Sequence, residues 1–269
     1  MLFPEVDSTE AITKETVSFV RNNVPDNTEV GFSGGKDSIC TAKIMELSGV
    51  KHHLVYAFTG IEPPEVVRFI RNHYPQCQIR VPKRTFWSSL TVHVPPSDRL
   101  RWCCTLLKKD GHDSVLGIRS EEGAKRANRP RVNHWKGRIT YHPILYWKEW
   151  QVWDFITENN LPYPKLYDEG FDRLGCIVCP YHSEKTGKLH EMYRKRWPFM
   201  FKRFEREIAK LYHKRVGQGK TMAYDSPEEF IEAWYLDDSS RWYAKEYKDD
   251  LFIHGEYLGL SGTASNKIN

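Results

Sequence analysis

Residues 28–48 constrain the fold more than any other stretch. "TEVGF" has the character of a short buried strand, "SGGKDS" is a glycine turn, and "ICTAKIMEL" continues as a helix. A strand that passes through such a turn into a helix gathers backbone N–H groups and the positive end of the helix dipole around one point. Gly34 and Gly35 permit a close approach that a side chain would block, and Lys36 adds a mobile positive charge. The segment is an anion cradle of the kind carried by α/β folds. It is not a Walker A loop, because Lys36 is followed by Asp37 rather than Ser or Thr and the upstream glycine spacing is wrong.

The alternation continues along the chain. The pattern predicts strands at 28–32, 53–58, 78–82, 112–118 and 138–144. Helices are expected at 38–47, 63–73 (with Pro at its start) and 148–159. Strands alternating with helices imply a mostly parallel sheet covered on both faces. After Cys179 the apolar residues Leu189, Met192, Tyr193, Met200, Phe201, Phe204, Ile208 and Leu211 adopt mostly helical spacing, with Pro198 as a break. Further short helices are expected at 227–236 and 239–249, and the polar tail 259–269 should fray. There is no internal repeat. The expected organisation is a nucleotide-binding domain over 1–183 and a helical, basic extension over 184–269.

A chain of 269 residues with 40% hydrophobic and 28% charged side chains can bury a sizeable core, which excludes a disordered class. No apolar run reaches the roughly 20 residues that span a bilayer. The acidic start "MLFPEVDSTEAITKE" lacks the basic region of a signal peptide, so the expectation is a cytoplasmic protein without a membrane partner. The net charge of +5 is unevenly spread: 125–138 holds six Lys/Arg and no acid, and 184–220 holds twelve Lys/Arg against four Glu. Such clusters suit an anionic partner, a nucleotide or a nucleic acid; the alternative is a solvated helical face.

Six cysteines occur, and four form the pairs "RWCCTLLK" and "GCIVCPYH". In a reducing compartment four thiolates suit zinc or an iron–sulfur cluster. Adjacent Cys103 and Cys104 diverge, which disfavours a single zinc and favours a [4Fe-4S] cluster with several iron corners.

Ser-Gly-Gly-Lys-Asp-Ser after a strand resembles the PP-loop of the ATP-pyrophosphatase superfamily. "FTGIEPPEV", "GIRSEEGAKR" and "HPILYWKEWQVWDFITENNLPYPKLYDEGFDRLGC" narrow the resemblance to the phosphoadenosine/adenosine phosphosulfate reductase family, in its iron–sulfur branch. The matches span 29–181, with Gly123 where the family usually has serine. The resemblance implies an adenine nucleotide alpha hydrolase-like fold and a nucleotide held by Ser33, Gly34, Gly35, Lys36, Asp37 and Ser38. Thr59 and Gly60 would belong to an active-site loop. Cys103, Cys104, Cys176 and Cys179 would ligate the cluster. Lys36, Asp37 and Arg119 are the catalytic candidates. Arg119 follows a strand at the sheet's carboxyl edge, where an anionic substrate group would lie. Asp37 could instead cap its helix or help hold Mg²⁺. Lys125, Arg126, Arg129 and Arg131 are candidates for the same cleft. Trp147, Trp150 and Trp153 are expected in the core rather than as base platforms. His142 and His182 are expected as structural hydrogen-bonding residues, and Glu65 as a helix-start acid.

One departure redirects the function. Assimilatory reductases of this family carry a nucleophilic cysteine near the C-terminus in a Glu-Cys-Gly-Leu-His-type motif, and here no cysteine follows Cys179. Cys40 lies near the loop, where a depressed pKa competes with a buried structural role; Cys77 is expected to be structural or exposed. The expectation is sulfur transfer with ATP activation and pyrophosphate release, as in DNA phosphorothioation and tRNA thiolation members of the superfamily. A sulfonucleotide reductase with a partner-supplied or non-standard thiol, and a nucleotide- or redox-sensing subunit, are the alternatives. ATP against phosphosulfate stays open, as do a nucleic-acid acceptor, a sulfur-donor protein and homo-oligomerisation.

Overall fold

A computed structural model describes residues 8–97, 101–108, 112–135, 137–180, 188–220 and 222–235. In chain order the elements are α1 (Thr9–Asn23), β1 (Thr28–Gly31), α2 (Lys36–Ser48), β2 (His52–Ala57), α3 (Pro64–His73) and β3 (Gln78–Arg80). Next come α4 (Phe86–Leu90), α5 (Trp102–Lys108), β4 (Ser114–Leu116), α6 (Ala124–Ala127), β5 (Val132–Trp135), β6 (Arg138–Tyr141) and α7 (Glu149–Glu158). The last are α8 (Lys188–Arg196), α9 (Pro198–Gly217) and α10 (Pro227–Tyr235). The expected helix at 239–249, the tail 259–269 and His182 lie outside the described residues.

The chain divides into two compact units. Unit 1 comprises Met1–Pro82 and Lys109–Cys176; unit 2 comprises Lys83–Lys108 and Ile177–Asn269. The boundary expected at 183/184 is therefore displaced, because the helical unit recruits an internal segment. Phe86 of α4 stacks on Trp102 of α5 with ring centroids 5.5 Å apart and lies 6.2 Å from Phe204 of α9. Trp234 of α10 packs on Phe204 at 4.4 Å and donates its indole N–H to the Pro96 carbonyl at 2.7 Å. Aromatic rings of this size bury enough area to fix the segment 83–108 to the C-terminal helices. Pro198 opens α9 after a break at Trp197, as its ring requires.

In unit 1 the sheet order is β3-β2-β1-β4-β6-β5, parallel except for β5. β1 is central: Val30 faces Leu54 of β2 and Val115 of β4 in register. Chain order reverses between β1 and β4, which makes their carboxyl ends the topological switch point, where α/β sheets take ligands. Helices α1, α2 and α7 pack on one another. Trp147, just before α7, is buried and donates to Thr16 Oγ1 of α1 at 2.8 Å. Cys40 of α2 is buried beneath α7, its Sγ 3.5 Å from the Val152 carbonyl. α2 is buried on nearly every side, so it lacks the polar stripe of a surface helix. Strand β5 was not legible in the sequence. "VNHW" is four residues on the sheet edge, and only pairing with β6, Val132 opposite Tyr141 and Trp135 opposite Arg138, makes it a strand.

Candidate active site

The switch point holds the glycine turn. Gly34 takes φ +73°, and a Cβ there would also crowd Ile70 and Val66 of α3. Ser33 and Ser38 lock the turn: Ser38 Oγ donates to the Gly35 carbonyl at 2.8 Å and accepts from the Ser33 N–H at 3.2 Å. Gly35 is the N-cap of α2 and offers no capping side chain. The first N–H groups of the helix thus face the end of the sheet without an intrahelical partner. Gly117, after β4, completes the geometry by close approach. A Cβ at this position would stand 2.7 Å from the Asp37 carbonyl oxygen and 2.8 Å from Thr41 Oγ1.

The charged residues are arranged differently from the expectation. Lys36 is buried, 4% exposed, rather than reaching into solvent. Its Nζ donates to the Asp172 carbonyl at 2.6 Å, lies 3.1 Å from Glu149 Oε1 and sits 5.3 Å from the centre of the Tyr167 ring. Its backbone N–H donates to the Tyr167 hydroxyl at 2.9 Å. Asp37 neither caps α2 nor stands open for a cation; it pairs with Arg119 Nε at 2.5 Å. Arg119 does lie past the carboxyl end of β4, but it is 3% exposed and also binds Glu121 at 2.8 Å, with Glu149 at 4.0 Å. These carboxylates hold its guanidinium at the end of β4, beside the first turn of α2.

The pKa directions follow from this burial. Loss of solvent raises Asp37 above the ordinary aspartate value, outweighing the pull of Arg119 and Lys36. Burial works against the charge of Arg119, but the facing carboxylates, Asp37 foremost, more than compensate and hold it above its ordinary value. Burial pushes the Cys40 thiol well above the usual range, with the Asp37 charge adding to the effect. With 0% exposure, Cys40 is unfit to be the nucleophile. Cys77 is likewise buried, and desolvation moves it up to about 11.

After β2, the loop carrying Thr59 and Gly60 closes on a residue to which the sequence reading gave no role. Glu62 accepts the Thr59 N–H at 2.9 Å, the Gly60 N–H at 2.9 Å and the Ile61 N–H at 3.2 Å, together with the Thr59 hydroxyl. These donors therefore already hold a carboxylate. Thr59 Oγ1 also lies 3.9 Å from Cys176 Sγ, which places that cysteine beside the carboxyl end of β2. Tyr56, buried on β2, has no hydrogen-bond partner for its hydroxyl among the described residues, and burial raises its pKa, with Glu62 and Cys176 contributing. Glu62, Glu149 and Tyr167 stand in the quoted segments "FTGIEPPEV", "HPILYWKEW" and "KLYDEGFD", but no local spacing ties them to the loop.

The remaining candidates separate. Arg131 turns to α1, pairing with Glu15 at 2.5 Å and lying 3.9 Å over the Phe19 ring, and Arg126 pairs with Glu122. Trp147 is core, whereas Trp150 is exposed and Trp153 packs edge-on against Tyr163 and Tyr167. His142 is buried, bonds the Pro130 carbonyl at 3.0 Å and is held below the ordinary imidazole range by desolvation. Glu65 sits in the first turn of α3.

None of the four paired cysteines is in a disulfide, and all four are partly exposed. Cys176 ends unit 1, and Cys103, Cys104 and Cys179 belong to unit 2. Within unit 2, Cys104 is pulled down from the ordinary thiol range by a hydrogen bond from Cys103, against burial and with help from Arg101 and Lys108. The donor chemistry, four reduced sulfurs in two pairs, fits an iron–sulfur cluster. Among the described residues no three His, Cys, Asp or Glu side chains converge on one metal position. In unit 2, Lys202, Arg206, Lys210 and Lys214 occupy the exposed side of α9, opposite the buried Phe201, Phe204, Ile208 and Leu211. Among the described residues no helix is long and apolar enough to cross a membrane.

An uncharacterized protein of Methanocaldococcus jannaschii is 28% identical over 229 residues, covering 77% of this chain and 47% of its own length. The adenosine 5'-phosphosulfate reductase of Staphylococcus haemolyticus is 27% identical over 133 residues, 44% of this chain and 54% of its own. The chain spans about half the length of the curated relatives it matches. Among solved structures, the phosphoadenylyl-sulfate (PAPS) reductase of Candida auris aligns with 65% of this chain and 97% of its own, at 18% identity and TM-score 0.45. The family model for the phosphoadenosine phosphosulfate reductase domain matches residues 27–182, more than half of the 269, and the chain belongs to that family.

Proposed function

We propose that this chain is a PP-loop enzyme that binds an adenine nucleotide on residues 33–38 and acts in sulfur transfer. The observation that carries the reading is the turn itself. Backbone N–H groups at the start of α2 lie at the switch point of the sheet, with two buried cations, Lys36 and Arg119, against them. A polyphosphate is the ligand that such an arrangement recognises. In the proposed reaction an acceptor oxygen attacks the α-phosphorus, the bond to the bridging oxygen of the β-phosphate breaks, and pyrophosphate leaves. Sulfur at the sulfide level then displaces AMP from the activated acceptor. The loop N–H groups and Lys36 stabilise the charge that develops on the phosphates, and Arg119 keeps the first turn of α2 in place through Asp37.

Cys103, Cys104, Cys176 and Cys179 are the proposed holders of a [4Fe-4S] cluster, on the strength of their donor chemistry and paired spacing. When bound, such a cluster would supply an iron site to take up inorganic sulfur. A nucleic acid is the proposed acceptor class, supported by the basic side of α9. Cys40 gives no support to a self-sufficient reductase, because its thiol is sealed and protonated. Parallel assays on anaerobically purified protein test the reading. Pyrophosphate release from ATP is expected, without sulfite release from either phosphosulfate in the presence of thioredoxin. Sulfite release that disappears in Cys40→Ser would overturn it.

A further inference from the structure

The donors of the phosphate loop are already engaged by the protein's own acidic and hydroxyl groups. Glu149, the first residue of α7, places one carboxylate oxygen 3.1 Å from Lys36 Nζ and the other 4.0 Å from the Arg119 guanidinium. The Tyr167 hydroxyl accepts the Lys36 N–H at 2.9 Å and would be 3.2 Å from a Cβ on Gly35, so it lies against the start of α2. A carboxylate spanning both cations and a hydroxyl oxygen on the helix N-terminus are the contacts a phosphate group would make there. We infer that Glu149 and Tyr167 are positioning residues that hold the loop's anion-binding groups in place, and that a polyphosphate enters by displacing them. This rests on the anion-binding reading of the loop.

The contacts differ in how readily they yield. The Lys36 ammonium has three N–H donors, so its bond to the Asp172 carbonyl at 2.6 Å can persist while another N–H turns to a phosphate. Asp172 is therefore the fixed anchor. The Glu149 side chain is 53% exposed and can swing into water without being stranded. Its departure is also favoured once phosphate arrives, because the two anions repel. Tyr167 lies in a single 3₁₀ turn, Lys165–Tyr167, braced by Trp153 at 5.1 Å between ring centres. Its hydroxyl needs to move only far enough to release one N–H. When pyrophosphate leaves, Glu149 returns to Lys36 and restores the carboxylate that faces this buried cation, while Arg119 keeps Asp37 and Glu121 throughout.

Calorimetric titration of the full-length chain with ATP, and separately with inorganic pyrophosphate, tests this. Removing an internal competitor tightens binding, whereas removing a ligand contact weakens it. Glu149→Gln is expected to bind both probes about five- to tenfold more tightly. Tyr167→Phe is expected to tighten them by about two- to fivefold, since only a neutral hydrogen bond is lost. Glu46→Gln, on the exposed end of α2, serves as the control and leaves affinity unchanged. Equal or weaker binding by Glu149→Gln, with an unchanged urea midpoint, overturns the inference even if ATP binds the wild type well. ATP binding no tighter than pyrophosphate would instead sink the adenine-nucleotide reading and leave the displacement standing.

Discussion

Replacing Arg119 by Met removes the cation that holds Asp37, and the consequence depends on pH in a direction that the structure dictates. Arg119 makes one short bond to Asp37 at 2.5 Å, a second at 2.8 Å to Glu121, and a looser contact to Glu149 at 4.0 Å. The last two partners are well solvated, so each contributes about 0.5 kcal/mol. The Asp37 pair accounts for most of the effect, because the side chain left behind is only 19% exposed. Breaking such a pair costs about 3 kcal/mol at neutral pH. Asp37 already titrates above 3.8 in the folded chain through burial, with Arg119 restraining the rise. A raised carboxyl favours folding below the unfolded value of about 3.8, and that advantage is lost as pH climbs through the folded value. Without Arg119 the folded value rises further. The deficit of Arg119→Met should therefore be larger at pH 7 than at pH 4.5, and the double variant Arg119→Met/Asp37→Asn should lose most of this dependence. Urea unfolding followed by tryptophan fluorescence at both pH values reads it directly. A deficit that stays constant with pH, or grows on acidification, would refute the assignment of Asp37 as the residue Arg119 neutralises.

Gly117→Ala should destabilise unit 1 and loosen nucleotide binding. The new Cβ stands 2.7 Å from the Asp37 carbonyl oxygen, so α2 must move by about 0.7 Å to reach ordinary contact. A loss of about 1–3 kcal/mol in urea is expected, and a stability within about 0.5 kcal/mol of wild type would contradict the close approach. His190 gives unit 2 an acid-sensitive point. Buried against Trp234 at 5.4 Å and Phe201 at 5.8 Å, it is pushed down to about 4 by desolvation, so as pH falls from 6.5 towards that value the unfolded chain takes up a proton that the folded one does not, and stability is lost. Hydrogen-exchange protection factors in α8–α10, corrected for the intrinsic rate at each pH, should fall over that window in the wild type and not in His190→Phe. The cluster proposal expects about four irons per chain after anaerobic preparation, lost in Cys176→Ala; one tight zinc without iron would refute it. Nucleic-acid binding through α9 should weaken steeply with added salt and fall in Lys210→Ala/Lys214→Ala, and binding indifferent to salt would return that face to simple solvation.

Much of unit 1 was legible along the chain, because each of its main signals is local. A buried strand, two glycines and a helix in succession leave the backbone few alternatives, so residues 28–48 announce the loop before any tertiary contact is known. The alternation from His52 to Arg80, and Pro64 at the start of α3, follow from the same short-range rules of periodicity and φ restriction. Side-chain partnership is another matter, since it is settled by residues that meet only after folding. Lys36 finds Glu149 and Asp172, Asp37 finds Arg119, and the donors of Thr59 and Gly60 find Glu62. Lys36 and Asp37 read as available in the sequence because adjacent side chains at a helix start do not face each other and their true partners lie far along the chain; burial then demands partners, and the sheet's switch point supplies them from the residues after β4, from α7 and from the turn at Tyr167. The displaced unit boundary has the same origin. Phe86 and Trp102 belong with Phe204 and Trp234 because aromatic area must be buried somewhere, and only the packed structure decides where.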